Sequence, residues 1–423
     1  MPETTTEVPK ALEAMVDMVL RYKPKSVSSA QKKRKRKQKK VIGINRSRAP
    51  RVAEFFAGIG LVRRALEGEG FHVVFANDIE PTKAVLYQAN FDASDLVVGD
   101  VRSVRGRDVP DIDVATASFP CTDLSLAGNR AGLAGKQSGM FWEFSRVLDE
   151  MGERRPSVVM LENVPGFATS RGGQDMRDAL AKLADLGYRC DVLPVDARWF
   201  VPQSRPRMFI IGSRRHDLVA SPLLRREPPM CTETLSSYVD RLAPEDPHWW
   251  SADRLNRFFR SLSPIQAERV AKLRCASRLE WTTAYRRTRH GEAVWEVRPD
   301  SVSGCLRTAR GGSSKQAVME TGHGDVRVRW MSAREYARLQ GVPDFHIADV
   351  SENAAIFGFG DAVCVPVVAW VARSYLRPLL QEKFPTKRRR VPSRHPEAPS
   401  PLRQRVFIPT ERRQCPQPHH TTA

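Results

Sequence analysis

A series of short apolar runs, each ending on a residue of special chemistry, constrains this chain most. RVAEFF (51–56) runs into the glycine turn AGIG (57–60), and FHVVFAND (71–78) ends on Asp78. The run at 96–98 leads to Asp100, that at 112–119 to Pro120 and Cys121, and that at 158–161 to Glu162 and Asn163. Helical patterns lie between several of them; Leu61, Val62, Ala65 and Leu66 share one face after the first run. Strand–helix alternation predicts an α/β fold built on a doubly wound, mostly parallel sheet. Such sheets bind ligands outside the carboxyl ends of their strands. The special residues all fall there, which predicts a single site.

The alternation stops from about residue 216 to 330. That stretch is rich in arginine, with Trp249, Trp250, Phe258, Phe259, Trp281, Tyr285 and Trp295 interspersed. Basic residues interleaved with aromatics suit a nucleic-acid surface. They equally suit a small domain whose rings form its own core, and the two readings are compatible. Helical patterns return over 331–382. The expected organisation is a large domain over 51–215, a small domain over 216–330, and a return to the large domain over 331–382.

Charge separates the ends from the body. Residues 1–50 hold 14 Lys/Arg against 4 Asp/Glu, and residues 383–423 hold 10 against 2. These two tails supply +18 of the net +20, leaving +2 for residues 51–382. KKRKRKQKK (32–40) repels itself and reads as disordered, after a short amphipathic helix over 9–22. The Pro/Arg-rich 383–423 segment also reads as disordered. The opening MPETTTEVPK is not a secretion signal, and the longest apolar stretch, 362–372, is too short to span a membrane. Seven scattered cysteines with no CxxC pair argue against a disulfide framework and against a metal site. A cytoplasmic protein with free thiols is expected.

The strand ends carry the chemistry. Glycines Gly58 and Gly60 let backbone N–H groups approach a ligand. Asp78 is placed to accept from a ribose diol, and Asp100 to accept from an exocyclic amine. Taken singly, each also reads as a turn or a helix cap. Together they point to an adenosine cofactor. Neither GxGxxG nor GxxxxGK[ST] is present, which disfavours a dinucleotide or a nucleoside triphosphate. S-adenosylmethionine needs no phosphate cradle. Cys121 and Glu162, at adjacent strand ends, suit attack on an electron-poor ring. A thiolate adds to C6 of a cytosine, a carboxyl group serves N3, and C5 becomes able to take a methyl group.

In motif content and order, residues 51–378 resemble the prokaryotic DNA (cytosine-5)-methyltransferase family. FAGIG resembles its cofactor motif, FPC its catalytic loop and SGMFWEFSRVL (138–148) the helix that follows. ENVPGF resembles its acid motif, VPQSRPRMFIIG (201–212) its Q-x-R-x-R segment and SAREYARLQGVPDF (332–345) its penultimate motif. The resemblance implies an S-adenosylmethionine-dependent methyltransferase fold with a smaller target-recognition domain at 216–330. It implies that Cys121 is the nucleophile, Glu162 the group at cytosine N3, and Arg207 a contact to cytosine O2. Arg205 would support the catalytic loop or the base. Phe56, Gly58, Gly60, Asp78, Ile79, Asp100, Pro120, Met140 and Asp361 would line the cofactor pocket. Arg307 and Arg310, in SGCLRTARGGSSKQ (303–316), are candidate guanine readers, with phosphate anchoring the alternative for each. The chain departs from the family pattern at Thr122, where glutamine is usual, and at Ile79, where an aromatic is frequent. GDAVCVP (360–366) carries Asp361 in place of asparagine and Cys364 in place of proline.

The expected activity is sequence-specific methylation of a flipped-out cytosine in double-stranded DNA, by a monomer. A cognate restriction endonuclease is a candidate companion. A tRNA substrate and a catalytically silent DNA-binding role are the competing readings. The charge distribution yields a prediction. A chain of residues 51–382 will methylate the same sequence as the full chain, but bind cognate and scrambled duplexes more weakly by similar factors. Its slope of log affinity against log salt will be shallower by about 0.9 for each phosphate that the tails no longer neutralise. Titrating both chains across a salt series checks this, and an unchanged slope refutes it.

Overall fold

The computed structural model describes residues 49–120, 139–214, 228–289, 292–308, 315–347 and 350–381. The helix expected over 9–22, both basic tails, Cys121, Thr122 and Arg310 lie outside them.

The first half of the chain winds a seven-stranded sheet. Its elements are β1 (Arg51–Phe55), α1 (Leu61–Gly68), β2 (His72–Asp78), α2 (Pro81–Gln88), β3 (Leu96–Val98) and β4 (Val114–Ala117), followed by α3 (Met140–Glu150), β5 (Val158–Asn163), α4 (Gln174–Asp185), β6 (Arg189–Asp196) and β7 (Pro206–Ser213). The strand order is β3-β2-β1-β4-β5-β7-β6. Six strands point the same way, and β7 alone runs against them, antiparallel to both β5 and β6. Every residue of β4 and β5 is buried, as expected for central strands covered by helices on both faces. Apolar runs announce these strands. β6, RCDVLPVD, was not legible in that way: it is an edge strand with charged residues and Pro194, a composition that edges tolerate.

The chain direction decides where the site lies. Parallel strands β1, β2, β4 and β5 deliver their carboxyl ends to one rim, and winding reverses between β1 and β4. Antiparallel β7 delivers its first residues to that same rim, since Asn163 at the end of β5 pairs with Met208. Phe119, which follows β4, packs on Phe141 and Phe167 just below the rim.

Residues 252–330 form α5 (Ala252–Arg260), α6 (Pro264–Arg274) and strands β8 (Glu280–Arg289), β9 (Glu292–Val297), β10 (Gln316–Gly322) and β11 (Asp325–Trp330). The strands make an antiparallel sheet in the order β11-β10-β8-β9. Its core is Phe258, Val270, Ala284, Val297, Met319 and Val328, with Trp250, Trp295 and Trp330 packed against it. Trp250 meets Trp295 and Trp330 edge-on at 5.5 and 5.3 Å. Much of the aromatic content of this stretch therefore builds a core.

The chain returns with α7 (Ala333–Leu339), α8 (Glu352–Asp361) and α9 (Val365–Val371). A buried ion pair fixes the return. Arg329 of β11 donates Nη1 to Glu335 Oε2 at 2.8 Å and Nη2 to Oε1 at 2.5 Å. Glu335 also accepts from the Ser332 and Asp240 amides and completes the capping box of α7. The most apolar 18-residue window within Glu352–Gln381 has a mean hydropathy of 1.9, apolar enough for a membrane span by length and composition alone. Extended backbone from Ala362 to Cys364 separates α8 from α9, and 61% of its most apolar window is buried within the protein. This is the behaviour of a core helix pair.

One core residue is unusual. Glu54, central in β1, is buried, and neither carboxyl oxygen has a hydrogen-bond partner among the described residues. The hydroxyl of Thr116, its neighbour across the sheet, has none among them either. Burial pushes the Glu54 carboxyl up to about 8, against the opposing pull of Arg63. Glu54 thus stays protonated in the fold at pH values where an unfolded chain ionises it. Its stabilisation is full below the ordinary carboxyl range and is lost as pH rises towards 8. Glu54→Gln removes that titration. Between pH 5 and 8, wild-type stability in urea will fall relative to E54Q by a few kcal/mol. Parallel pH profiles for the two proteins would refute the assignment.

Candidate active site

Two groups of residues meet at the rim. The first surrounds the turn after β1. Phe56 and Gly58 both adopt left-handed backbone, with φ of 59° and 57°. For phenylalanine this conformation is strained by about 1–3 kcal/mol, so packing must hold it. Phe56 and Met140 are half-buried against the core below. Asp78 supplies part of the hold on the turn, accepting from the Gly58 amide at 2.7 Å and the Glu80 amide at 2.9 Å. A methyl group built on Gly58 would meet nothing within 4 Å, so the outer face of the turn is open. Gly60 is packed: the same methyl group would come within 2.5 Å of the Phe91 ring.

Around this turn lies a surface fit for an adenosine. Ile79 is 63% exposed directly after buried Asp78, and Val97 and Val98 are exposed on neighbouring β3. Asp100 caps the turn at Val101–Ser103 and pairs with Arg102 at 3.1 Å. Asp100 thus does the capping work that competed with the cofactor reading, whereas Asp78 ties the Gly58 and Glu80 amides without capping α2, whose N-cap is Glu80. Each carboxylate retains acceptor capacity beyond these bonds. Open glycine backbone, exposed apolar side chains and two flanking carboxylates match the needs of ribose and adenine. Asp361, at the end of α8, is on the surface and pairs with Lys83 of α2 at 2.7 Å.

The second group stands at the ends of β5 and β7. Glu162 is nearly buried, and its Oε1 lies 3.0 Å from Arg207 Nε. Asn163 reaches across to the Phe119 carbonyl at 3.3 Å, tying the end of β5 to the segment that leads into exposed Pro120. Cys121 follows, outside the described residues. Arg205 does not reach into the open rim. It is buried and donates to the carbonyls of Leu306 at 2.5 Å, Gly360 at 3.1 Å and Ala362 at 2.5 Å. Its role is to join β7 to the segments at 305–306 and 360–362. Gln203 works beside it, donating to the Leu339 carbonyl at 2.8 Å.

Known proteins bear on this geometry. Residues 50–377 match the model of the C-5 cytosine-specific DNA methylase family. The chain belongs to that family. The methylase is 28% identical over 340 residues to the type II methyltransferase M.Bsp6I of Bacillus sp. (strain RFL6), covering 78% of this chain and 99% of the relative. It is 25% identical over 331 residues to M.HhaI of Haemophilus parahaemolyticus, covering 76% and 93%. Among solved structures, S. pombe Dnmt2 methyltransferase superimposes with a TM-score of 0.59 at 19% identity, covering 78% of the methylase and 99% of that chain. The fold is thus that of a methyltransferase, and the protein is a DNA cytosine-5-methyltransferase.

Two residues at the methylase site escaped the reading of its sequence. Lys83 carries no motif signal; its partner Asp361 is 278 positions away. Cys305 looks like any isolated cysteine, yet its Sγ lies 3.6 Å from Arg205 Nη1 and 4.0 Å from Arg207 Nη2. Burial acts to raise its thiol, and the guanidiniums of Arg207, Arg205 and Arg307 together outweigh burial and lower it. Of the two candidate readers, Arg307 is exposed at the margin of the 303–308 segment.

Arg205 supports a direct test. Lysine keeps the charge but not the planar fork, so Arg205→Lys leaves buried carbonyls unpaired. Urea denaturation of R205K will show a loss of about 2–4 kcal/mol. A change below about 0.5 kcal/mol, the size usual for surface substitutions, would contradict the buried-hub role.

Proposed function

We propose that this methylase transfers a methyl group from S-adenosylmethionine to C5 of a cytosine rotated out of double-stranded DNA, through a covalent adduct at Cys121. The observation that carries this reading is the Glu162–Arg207 pair, 3.0 Å apart and largely buried, on the rim where Asn163 holds the Phe119 carbonyl, two residues before Cys121 in the sequence. A stacked cytosine offers no face to a thiolate, so the base must leave the helix.

Cys121 attacks C6, forming a C–S bond and pushing electron density towards C5 and N3. Glu162 holds a proton at N3, and Arg207 orients Glu162 beside the base. Bound S-adenosylmethionine supplies an electrophilic methyl group for C5. Phe56, Gly58, Asp78, Ile79, Asp100, Met140 and the 360–362 segment hold it from the glycine-turn side. A base then removes the C5 proton, the C–S bond breaks, and the thiolate leaves. The small sheet, Arg307 and Arg310 would contact DNA. Sequence choice would reside in residues 216–330. A monomer acting in a bacterial cytoplasm, with or without a companion endonuclease, completes the reading.

The test is bisulfite sequencing of DNA from cells expressing wild-type, Cys121→Ala and Glu162→Gln proteins, paired with trapping on 5-fluorocytosine duplexes. Wild type will methylate one short sequence and form a stable adduct, because fluorine at C5 blocks the final elimination. C121A will do neither. E162Q will transfer methyl about 10²–10⁴-fold more slowly, the usual worth of a positioned acid. Methylation by C121A, or wild-type rates in folded E162Q, would overturn the mechanism.

A further inference from the structure

The departure at Asp361 has a partner in the structure. Asp361 ends α8, where a carboxylate faces the negative pole of its own helix and is electrostatically misplaced. Lys83 Nζ lies 2.7 Å from Asp361 Oδ2 and sits over the ring of Phe357, one helical turn earlier, at 5.5 Å. The lysine side chain is 16% exposed and the aspartate 42%, so the pair is half-sheltered from water. Lys83 stands in the first turn of α2, five residues after Asp78 and four after Ile79. The other end of the pair adjoins Gly360 and Ala362, whose carbonyls are held by Arg205. Between the two ends, Gly358 of α8 packs so closely that an added methyl group would come within 2.8 Å of Ile59 in the glycine turn and 3.3 Å of Leu86 in α2. The ion pair therefore ties α2, which follows Asp78 and Ile79 in the chain, to the end of α8, against which the glycine turn also packs.

We propose that Lys83 and Asp361 form an electrostatic strap that holds α2 and the end of α8 together around the cofactor, with Lys83 the positioning residue. The proposal rests on the cofactor reading above. Lys83 acts through geometry. It neutralises the carboxylate at the helix end and fixes the distance between the segments carrying Asp78 and Gly360. Removing Lys83 leaves an unpaired carboxylate at the C-terminus of α8, which opposes the closed arrangement. Removing both charges relaxes the strap but leaves no repulsion, so the double substitution must be milder than Lys83→Met alone.

Calorimetric titration of the full chain with S-adenosylhomocysteine, without DNA, tests this. Wild type, K83M, K83R, D361N and K83M/D361N are compared at about 50 and 500 mM salt, a range over which screening shortens by roughly threefold. At low salt K83M will bind about fivefold more weakly, K83R near wild type, and K83M/D361N between K83M and wild type. At high salt the gap between wild type and K83M/D361N will close. Binding by K83M within twofold of wild type, a double variant weaker than K83M, or a salt-independent gap overturns the strap alone. A wild type that fails to bind overturns the cofactor reading and the strap with it.

Discussion

The guanidinium of Arg205 is the interaction on which the site depends. It is buried, and Leu306, Gly360 and Ala362 give it carbonyl oxygens from segments more than 100 positions further along the chain. A buried cation without partners is costly by several kcal/mol; Arg205 keeps both terminal nitrogens bonded, while its buried Nε has no hydrogen-bond partner among the described residues. Arg205 also stands two residues from Arg207 on β7, so its anchorage sets where the Arg207–Glu162 pair falls. The Glu162–Arg207 pair and the 360–362 segment are thereby referred to one point.

The two sheets divide the physical work differently. The large sheet is parallel through its centre and its central strands are buried, and its rim carries the candidate site residues. Against the core of the small sheet, the half-buried rings of Trp250, Trp295 and Trp330 meet at 5.3 to 5.8 Å. Arg254 stacks on Trp250 and Trp330 from outside, at 4.5 and 5.0 Å. Rings and cations that looked like a single surface in the sequence are thus layered, with rings as core and cations as cover. The Arg329–Glu335 pair then fastens this sheet to α7.

What the sequence disclosed follows from range. The glycine turn, Asp78, Asp100 and Glu162 are legible because each follows its own strand directly, and local pattern suffices. Asp78 and Asp100 proved to bind backbone amides as well as being candidate ligands, because a strand end that exposes a carboxylate also exposes amides to it. β6 was hidden because an edge strand keeps charged residues. Lys83, Cys305 and the partners of Arg205 were hidden because contacts across 98 to 278 positions leave no periodicity. Asp361 was visible as a departure, but its meaning required the lysine that faces it.

The placement of β7 has a consequence for synthesis. All seven strands of the large sheet lie within residues 51–213, a stretch complete on the ribosome before the small sheet exists. Amino-terminal units fold first as a chain emerges. Yet Arg205, at the mouth of β7, finds its acceptors only once residues 306, 360 and 362 have arrived. Until then its cation lacks these acceptors, so that part of the rim stays open, and residues made 101 to 157 positions later are the ones that seal it.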